Sequence, residues 1–299
     1  MKKTSAIKLS RSDRIYFVVS YIVVTILMLT VLYPLIYIVS ASFSSASAVN
    51  SGRVWLFPVN FSAYSYKYLL GYKIIWIGYG NTIFYTVAGT AINVALTILC
   101  AYSLSRKGLV GSGIITFLFT FTMLFSAGMI PNYMLMRDIN LLNTRWALLL
   151  PGAISVYNMI VTRTFFRNTI PDELLEASKL DGCSDIQYLL RVVLPLSKAI
   201  IAVITMYYAV AHWNSYFNAF LYLSDRSMFP LQIFLRQILV QSSFDTSDIT
   251  DPEMLEQLRG LEDLLKYAVI VVATAPLLCV YPFVQKYFVR GVMIGSVKG

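Results

Sequence analysis

The chain has 299 residues, 58% of them hydrophobic and 13% charged, with a formal net charge of +9 and a mean hydropathy of +0.67. Soluble domains carry about a quarter charged residues, so this composition excludes an ordinary water-soluble globule and points to lipid as the solvent. One histidine, three widely separated cysteines (Cys100, Cys183, Cys279) and the absence of a GxxxxGK[ST] segment exclude a histidine-rich metal site, a cysteine redox or metal motif, and a phosphate-loop nucleotide site in this chain.

A membrane-crossing helix needs about 20 mostly apolar residues. The first such run covers about 15–40. Lys2, Lys3, Lys8, Arg11 and Arg14 precede it and Ala46-Ser47-Ala48 follows, which is the layout of a secretory leader with its cleavage site. A leader's apolar region is about 7–15 residues long. The longer run here predicts an uncleaved first span behind a basic segment, 1–14. Residues 41–79 hold Trp55, Tyr64, Tyr66, Tyr68, Tyr72 and Trp76 and predict an interfacial helix. Further spans are expected at about 80–104, 112–134, 146–166, 194–222 and 267–288. Several contain glycine, proline or a polar residue (Asn93, Asn158, Asn214), which suits helices packed in a bundle. The expectation is an all-α integral membrane protein with six transmembrane helices in one domain, 15–299.

Charge sets the expected orientation. With the amino terminus in the cytoplasm, the inside segments hold 15 of the 24 basic residues and six acids, and the outside holds nine of each. The whole excess of positive charge then lies inside, as the positive-inside rule requires, and both termini are cytoplasmic. No basic patch on a soluble face is present to suggest nucleic acid.

Residues 167–193 form a polar island between apolar runs. Pro171 suits a first helical turn, and Asp172 and Glu173 suit the positive end of the helix dipole. Leu174, Leu175 and Ser178 follow at helical spacing. Gly182 is a natural stop because it can take the left-handed cap conformation. A second helical stretch is expected over 186–193, before Pro195. A short helix with an apolar stripe must dock on something. Five acids from Asp172 to Asp185 disfavour the alternative of lying on anionic lipid.

The spacing of this island resembles the cytoplasmic loop of the permeases of binding-protein-dependent ABC importers, which reads EAA, three residues, G, nine residues, I, one residue, LP. Here it reads Glu176-Ala177-Ser178, Gly182, Val192, Leu194-Pro195, with Ser178 in place of alanine and Val192 in place of isoleucine. The stretch Asn143–Gly152 and the tail Gln285–Gly299 are similar to the carbohydrate branch of those permeases, in particular to the oligosaccharide and alginate types; the smaller maltose permease subunit is a more distant relative. The resemblance implies a type I ABC importer permease fold in a bacterial plasma membrane. It implies that Glu176, Ala177, Ser178, Asp181, Gly182, Leu194 and Pro195 form a coupling element for a cytoplasmic ATPase. It implies four kinds of neighbour: a second homologous permease, two ATPase subunits that bind the ATP and Mg, an extracytoplasmic solute-binding protein, and lipid. The chain itself would need no cofactor and be no enzyme.

Two further regions carry candidate sites. Residues 212–218 read His-Trp-Asn-Ser-Tyr-Phe-Asn. Sugars are held by aromatic faces with amides and hydroxyls, and in a continuous helix Asn214 and Asn218 share a face near Trp213, Tyr216 and Phe217. These residues, with Tyr157 and Asn158, are candidates for a sugar pathway. The alternative is interfacial aromatics with asparagines bonded between helices, and a lone His212 is expected to be hydrogen-bonded structure. The segment 225–266, read as an external loop, carries Asp245, Asp248, Asp251, Glu253 and Glu256 as candidate contacts for the binding protein, with a short amphipathic helix from Pro252 to Leu265; a merely solvated charged face is the alternative. A secondary transporter would need carboxylates inside the spans, and none lies there. A membrane enzyme would lack acid–base partners. An ABC permease for a non-sugar solute stays open on the loop motif alone.

Overall fold

The computed structural model describes residues 10–241 and 252–295, without the side chains of 241, 252–259, 283–284 and 286–295. Among the described residues every regular element is helical. In chain order they are α1 Arg11–Ser42, α2 Ala46–Asn50, α3 Tyr64–Gly71, α4 Lys73–Ser105, α5 Ser112–Leu124, α6 Met129–Asp138, α7 Trp146–Leu149, α8 Val156–Thr169, α9 Asp172–Leu180, α10 Asp185–Tyr188, α11 Leu194–Leu196, α12 Lys198–Trp213, α13 Phe217–Tyr222, α14 Leu231–Gln241 and α15 Pro252–Gly295. A π-helical turn, Leu189–Val193, joins α10 to α11.

Three of the described helices are long and apolar enough to cross a membrane, and up to five spans result if each of two bent pairs counts as one. Chain breakers account for the difference from six uniform runs. The third run is α5 and α6, bent by 115° where Gly128 takes φ +88°. The fourth is divided at Pro151 into a four-residue helix and α8. The fifth is bent by 85° between the Asp185–Leu196 stretch and α12, then broken again after Trp213. The wide turn at Leu189–Val193 accommodates Pro195, which has no N–H to donate and whose ring crowds the carbonyl four residues back. The short helix expected from Pro252 and the last span are one element, α15. No proline lies between Pro252 and Pro276, and the single Gly260 does not stop the helix, so the polar start runs directly into the apolar part.

The chain divides into two compact units. In the first, 1–71 with 238–272, α1 is exposed along most of its length and buries only its end, Ser40–Ser42. There Ala41, Ala48, Val49, Val54 and Leu264 form a small core, Tyr37 meets the Tyr267 ring edge-on at 5.9 Å, and Gly260 lies against Ala46. The tight loop after α1 is held by serines. Ser40 Oγ donates to the Leu56 carbonyl at 2.7 Å, and Ser44 Oγ accepts from the Val59 N–H at 3.0 Å.

In the second unit, 72–237 with 273–299, α4, α8 and α12 pack around Ile98, Tyr102, Met159, Phe166, Ile204 and Tyr208. In lipid an apolar side chain gains little by leaving its solvent, so close packing and interhelical hydrogen bonds hold such a bundle, the latter at about 0.6 kcal/mol on average. A polar seam supplies them. The His212 imidazole sits in a notch over Gly89 and bonds Asn93 Oδ1 at 3.1 Å; Asn93 Nδ2 donates to the Gly152 carbonyl at 3.4 Å. One turn further, Thr97 and Tyr208 hydroxyls bond at 2.7 Å, and the Tyr208 oxygen also accepts the Ser155 N–H at 2.9 Å. His212 and Asn93 are thus interhelical structure.

Candidate functional site

The polar island folds as one surface helix with a defined start and stop. Helix α9 begins after Pro171, carries Asp172 and Glu173 in its first turn and Lys179 in its last, so charge complements the dipole at both ends. It ends in a paired cap: Gly182 N–H donates to the Lys179 carbonyl at 3.1 Å and Cys183 N–H to the Ser178 carbonyl at 2.9 Å. That geometry needs a left-handed residue, and Gly182 has φ +75°. Ser178 Oγ turns back to the Leu175 carbonyl at 2.8 Å.

One side of this segment is anchored. Leu175, Cys183, Val192 and Leu194 pack against Tyr188, Leu189 and Val193 in the core of the second unit. Arg106 lies over the rings of Tyr102 and Tyr188 at 4.3 and 4.8 Å, and the Tyr102 hydroxyl donates to the Asp185 carbonyl at 3.1 Å. The other side is open. Glu176, Ala177 and Asp181 are exposed, Leu174 and Leu180 are 40% and 90% exposed, and Ile186 is 71% exposed. The helix is thus pinned on one face and leaves leucines and a glutamate open on the other. Leu194 and Pro195 lie beyond the π turn, at the root of the segment rather than on its exposed helix.

At the helix start Lys107 pairs with Asp172, both well exposed. The Lys107 hydrogen bond, ahead of any other influence, holds the Asp172 carboxyl below its ordinary range. The pair's contribution is therefore present above the usual carboxylate range and lost as pH falls through the depressed value. Lys107→Ala is expected to return Asp172 to an ordinary titration midpoint, read by carbon NMR of labelled aspartate. Exposed pairs contribute little to stability, and the fold should be unaffected.

The second candidate region differs from its expected form. After Trp213 the helix stops, and Ser215 and Tyr216 are non-helical. Asn214 and Asn218 therefore do not share one continuous helix face. Trp213 is buried, donates from Nε1 to the Ala273 carbonyl at 3.0 Å and is structural. Asn214 folds back to the Val210 carbonyl at 3.0 Å. Phe217 and Asn218 are exposed and Tyr216 is half-buried. Tyr157 is exposed in the first turn of α8, while Asn158 is buried one residue on. Glu253 and Glu256 lie in the first turns of α15, their side chains outside the described residues, and Asp245, Asp248 and Asp251 fall wholly outside them.

Sequence reasoning missed the scaffold that fixes this region. Asn143, in a left-handed conformation (φ +55°), accepts the N–H groups of Ser224 and Asp225 at 2.9 Å on its side-chain oxygen, and its own N–H meets the Tyr222 carbonyl at 2.8 Å. Asn81 donates to the Ser227 and Phe229 carbonyls at 2.7 and 3.0 Å, and Arg145 donates to its oxygen at 3.3 Å. The Tyr85 hydroxyl reaches the Met228 carbonyl at 2.8 Å, and Thr82 Oγ accepts the Leu231 N–H at 2.8 Å. Asparagine at a left-handed position was the one readable signal. The segment it pins leads into α14, which places Arg236 over the Tyr216 ring at 4.8 Å and near Phe220 at 5.7 Å.

Long apolar helices, with spans bent or broken near Gly128, Pro151 and Pro195, define an integral membrane protein. Residues 5–294 match the binding-protein-dependent transport system inner membrane component family, and the chain belongs to that family. It is 45% identical over 266 residues to the polygalacturonan/rhamnogalacturonan transport system permease protein YtcP of Bacillus subtilis, covering 89% of this chain and 92% of that one. It is 23% identical over 272 residues to the arabinooligosaccharides transport system permease protein AraQ of Halalkalibacterium halodurans, covering 89% and 91%. Its fold matches a bacterial ABC transporter that imports the acidic polysaccharide alginate, with a TM-score of 0.85, 38% identity, and coverage of 95% of this chain and all of the other.

Proposed function

We propose that this chain is the transmembrane permease subunit of an ATP-driven oligosaccharide importer and forms half of its translocation pathway. Family membership and relatives named for polysaccharide and oligosaccharide transport support the substrate class. The observation that carries the mechanism is the exposed helix α9, anchored through Leu175 and capped at Gly182. A groove on a cytoplasmic ATPase would receive Leu174, Glu176, Ala177 and Leu180. Closure of two ATPases around ATP and Mg would push α9 toward its counterpart on a second permease. Because Leu175, Tyr188 and Val193 share the core of α4, α8 and α12, that push would reach the helices as a rigid body. In this reading both termini and α9 are cytoplasmic, the chain makes six spans with α7–α8 as the fourth, and the acidic segment before α15 meets a solute-binding protein outside.

Gentle detergent purification of the tagged chain from its native membranes should bring with it a second permease and an ATPase, identified by mass spectrometry. The co-purifying assembly should hydrolyse ATP faster when its binding protein carries oligosaccharide. A chain that purifies alone, under conditions that keep such assemblies intact, would refute the reading.

A further inference from the structure

The helix break at 214–216 and the position of Arg236 together point to a ligand site. Backbone without helical partners is tolerated at membrane depth only where it is buried in protein or lines a water-filled cavity, since each unsatisfied peptide group in hydrocarbon costs several kcal/mol. Here the residues around the break are open: Asn214 and Asn218 are exposed, Phe217 is 48% and Phe220 63% exposed. A charged side chain on this face is costly in hydrocarbon, and ionisable groups at membrane depth face the bundle interior or a water-filled cavity. A cation belongs to the same face. Arg236 is exposed, and its guanidinium carbon lies 4.8 Å from the centre of the half-buried Tyr216 ring. Among the described residues no carboxylate pairs with it. A guanidinium stacked on an aromatic ring keeps its in-plane N–H fork available, and that fork matches a carboxylate in two parallel hydrogen bonds.

We infer that Arg236, Tyr216 and Phe220 form a subsite for the carboxylate of a uronic-acid residue in the transported oligosaccharide. The inference rests on the oligosaccharide-importer reading and assigns to it an anionic substrate. Phe220 offers the apolar face on which a pyranose ring packs, and Arg236 beside it reads the acid group that separates a uronide from a neutral hexose. The site is preformed. Asn143, Asn81, Tyr85 and Thr82 fix the segment between α13 and α14 through six hydrogen bonds to its backbone. Gly78 lets α14 start against α4, where a Cβ would lie 3.0 Å from Leu231 Cα. Discrimination then requires no ordering of the loop when substrate arrives.

The test uses the complete transporter, with partner permease, ATPase and binding protein, in proteoliposomes. The probes are a galacturonate trisaccharide and the same trisaccharide with its carboxyls reduced to alcohols. A charge-assisted hydrogen bond is worth about 1.5–3 kcal/mol, so Arg236→Gln should lower the uronide-to-neutral uptake ratio by roughly tenfold or more. Arg236→Lys keeps the charge without the fork and should lower it less; it also provides the readout if the glutamine variant does not assemble. An unchanged ratio in the variants, or wild-type uptake of the neutral sugar alone, would overturn the subsite and leave the importer reading standing. Wild-type uptake of neither sugar would count against the importer reading itself.

Discussion

Gly182→Val is expected to lower uptake by about tenfold or more while the protein still reaches the membrane in normal amount. The reason is conformational. Gly182 has φ +75°, and nothing lies within 4 Å of where its Cβ would stand, so a side chain meets no steric obstacle. The penalty is in the backbone alone, about 1–3 kcal/mol for a non-glycine residue held in this region and worst for a β-branched one. Escaping it means giving up the hydrogen bonds to the Lys179 and Ser178 carbonyls, which frees the end of α9 and turns Leu180 away from the groove proposed to receive it. The strain argument predicts an order across variants: asparagine retains most function, alanine less, valine least, because asparagine enters the left-handed region most readily. Glu176→Lys, on the same exposed face, should uncouple in a different way, keeping the cap and reversing the charge presented. Uptake and binding-protein-stimulated ATP hydrolysis in the assembled transporter are the readouts. Wild-type uptake in Gly182→Val would remove α9 from the coupling path.

How much of this was legible in the sequence depended on the distance over which each signal acts. Helix α9 could be read closely because its start at Pro171-Asp172-Glu173 and its stop at Gly182 lie within three turns and act locally. The long helices α1 and α4 could be read because their apolar runs are long enough to outweigh single interruptions such as Pro34 in α1 and Gly89 in α4. Breaks inside apolar runs could not. Hydropathy around Ser215 and Tyr216 continues on both sides, so 194–222 reads as one span, although Tyr216 leaves the helix and turns its ring to Arg236. That ring contact joins residues 20 positions apart, and the Asn81 bonds that position the loop reach across nearly 150. No periodicity carries such pairings. Pro195 shows the same limit at short range: the proline announces a disturbance, while the π turn before it and the 85° bend after it depend on how the neighbouring helices absorb the lost hydrogen bond. The polar residues inside the spans illustrate a different limit. Asn158, Trp213 and Asn214 look alike as candidates for a sugar path, yet Asn158 is buried, Trp213 is buried and tied to Ala273, and Asn214 is exposed. Burial sorted them, and burial is a property of the packed bundle.

The largest effect on folding is expected at Gly89. A Cβ there would stand 2.4 Å from two atoms of the His212 ring, far inside contact distance, and the ring is held by its hydrogen bond to Asn93 Oδ1 at 3.1 Å. Gly89→Leu must therefore push α12 from α4 or turn the imidazole out of its notch. Overpacking costs about 1–3 kcal/mol, and the displaced interhelical hydrogen bond adds up to about 1.7 kcal/mol. Those losses are a large part of a stability of about 5–15 kcal/mol, so the variant should show a clearly lower melting temperature and a lower folded yield in detergent. Gly80 is the control. It lies on the same helix with nothing within 4 Å of its Cβ position, and Gly80→Ala should be neutral or slightly stabilising, since alanine favours helix over glycine by about 1 kcal/mol. The mechanism is separable by a double-mutant cycle. His212→Ala empties the notch and on its own destabilises by leaving Asn93 Oδ1 without its partner; combined with Gly89→Ala, it should recover part of what each change loses alone, because the new methyl occupies space the ring has left. Strictly additive losses would mean that the seam is not held by this ring in this notch, and the two helices would then be joined chiefly through Thr97 and Tyr208, one turn along.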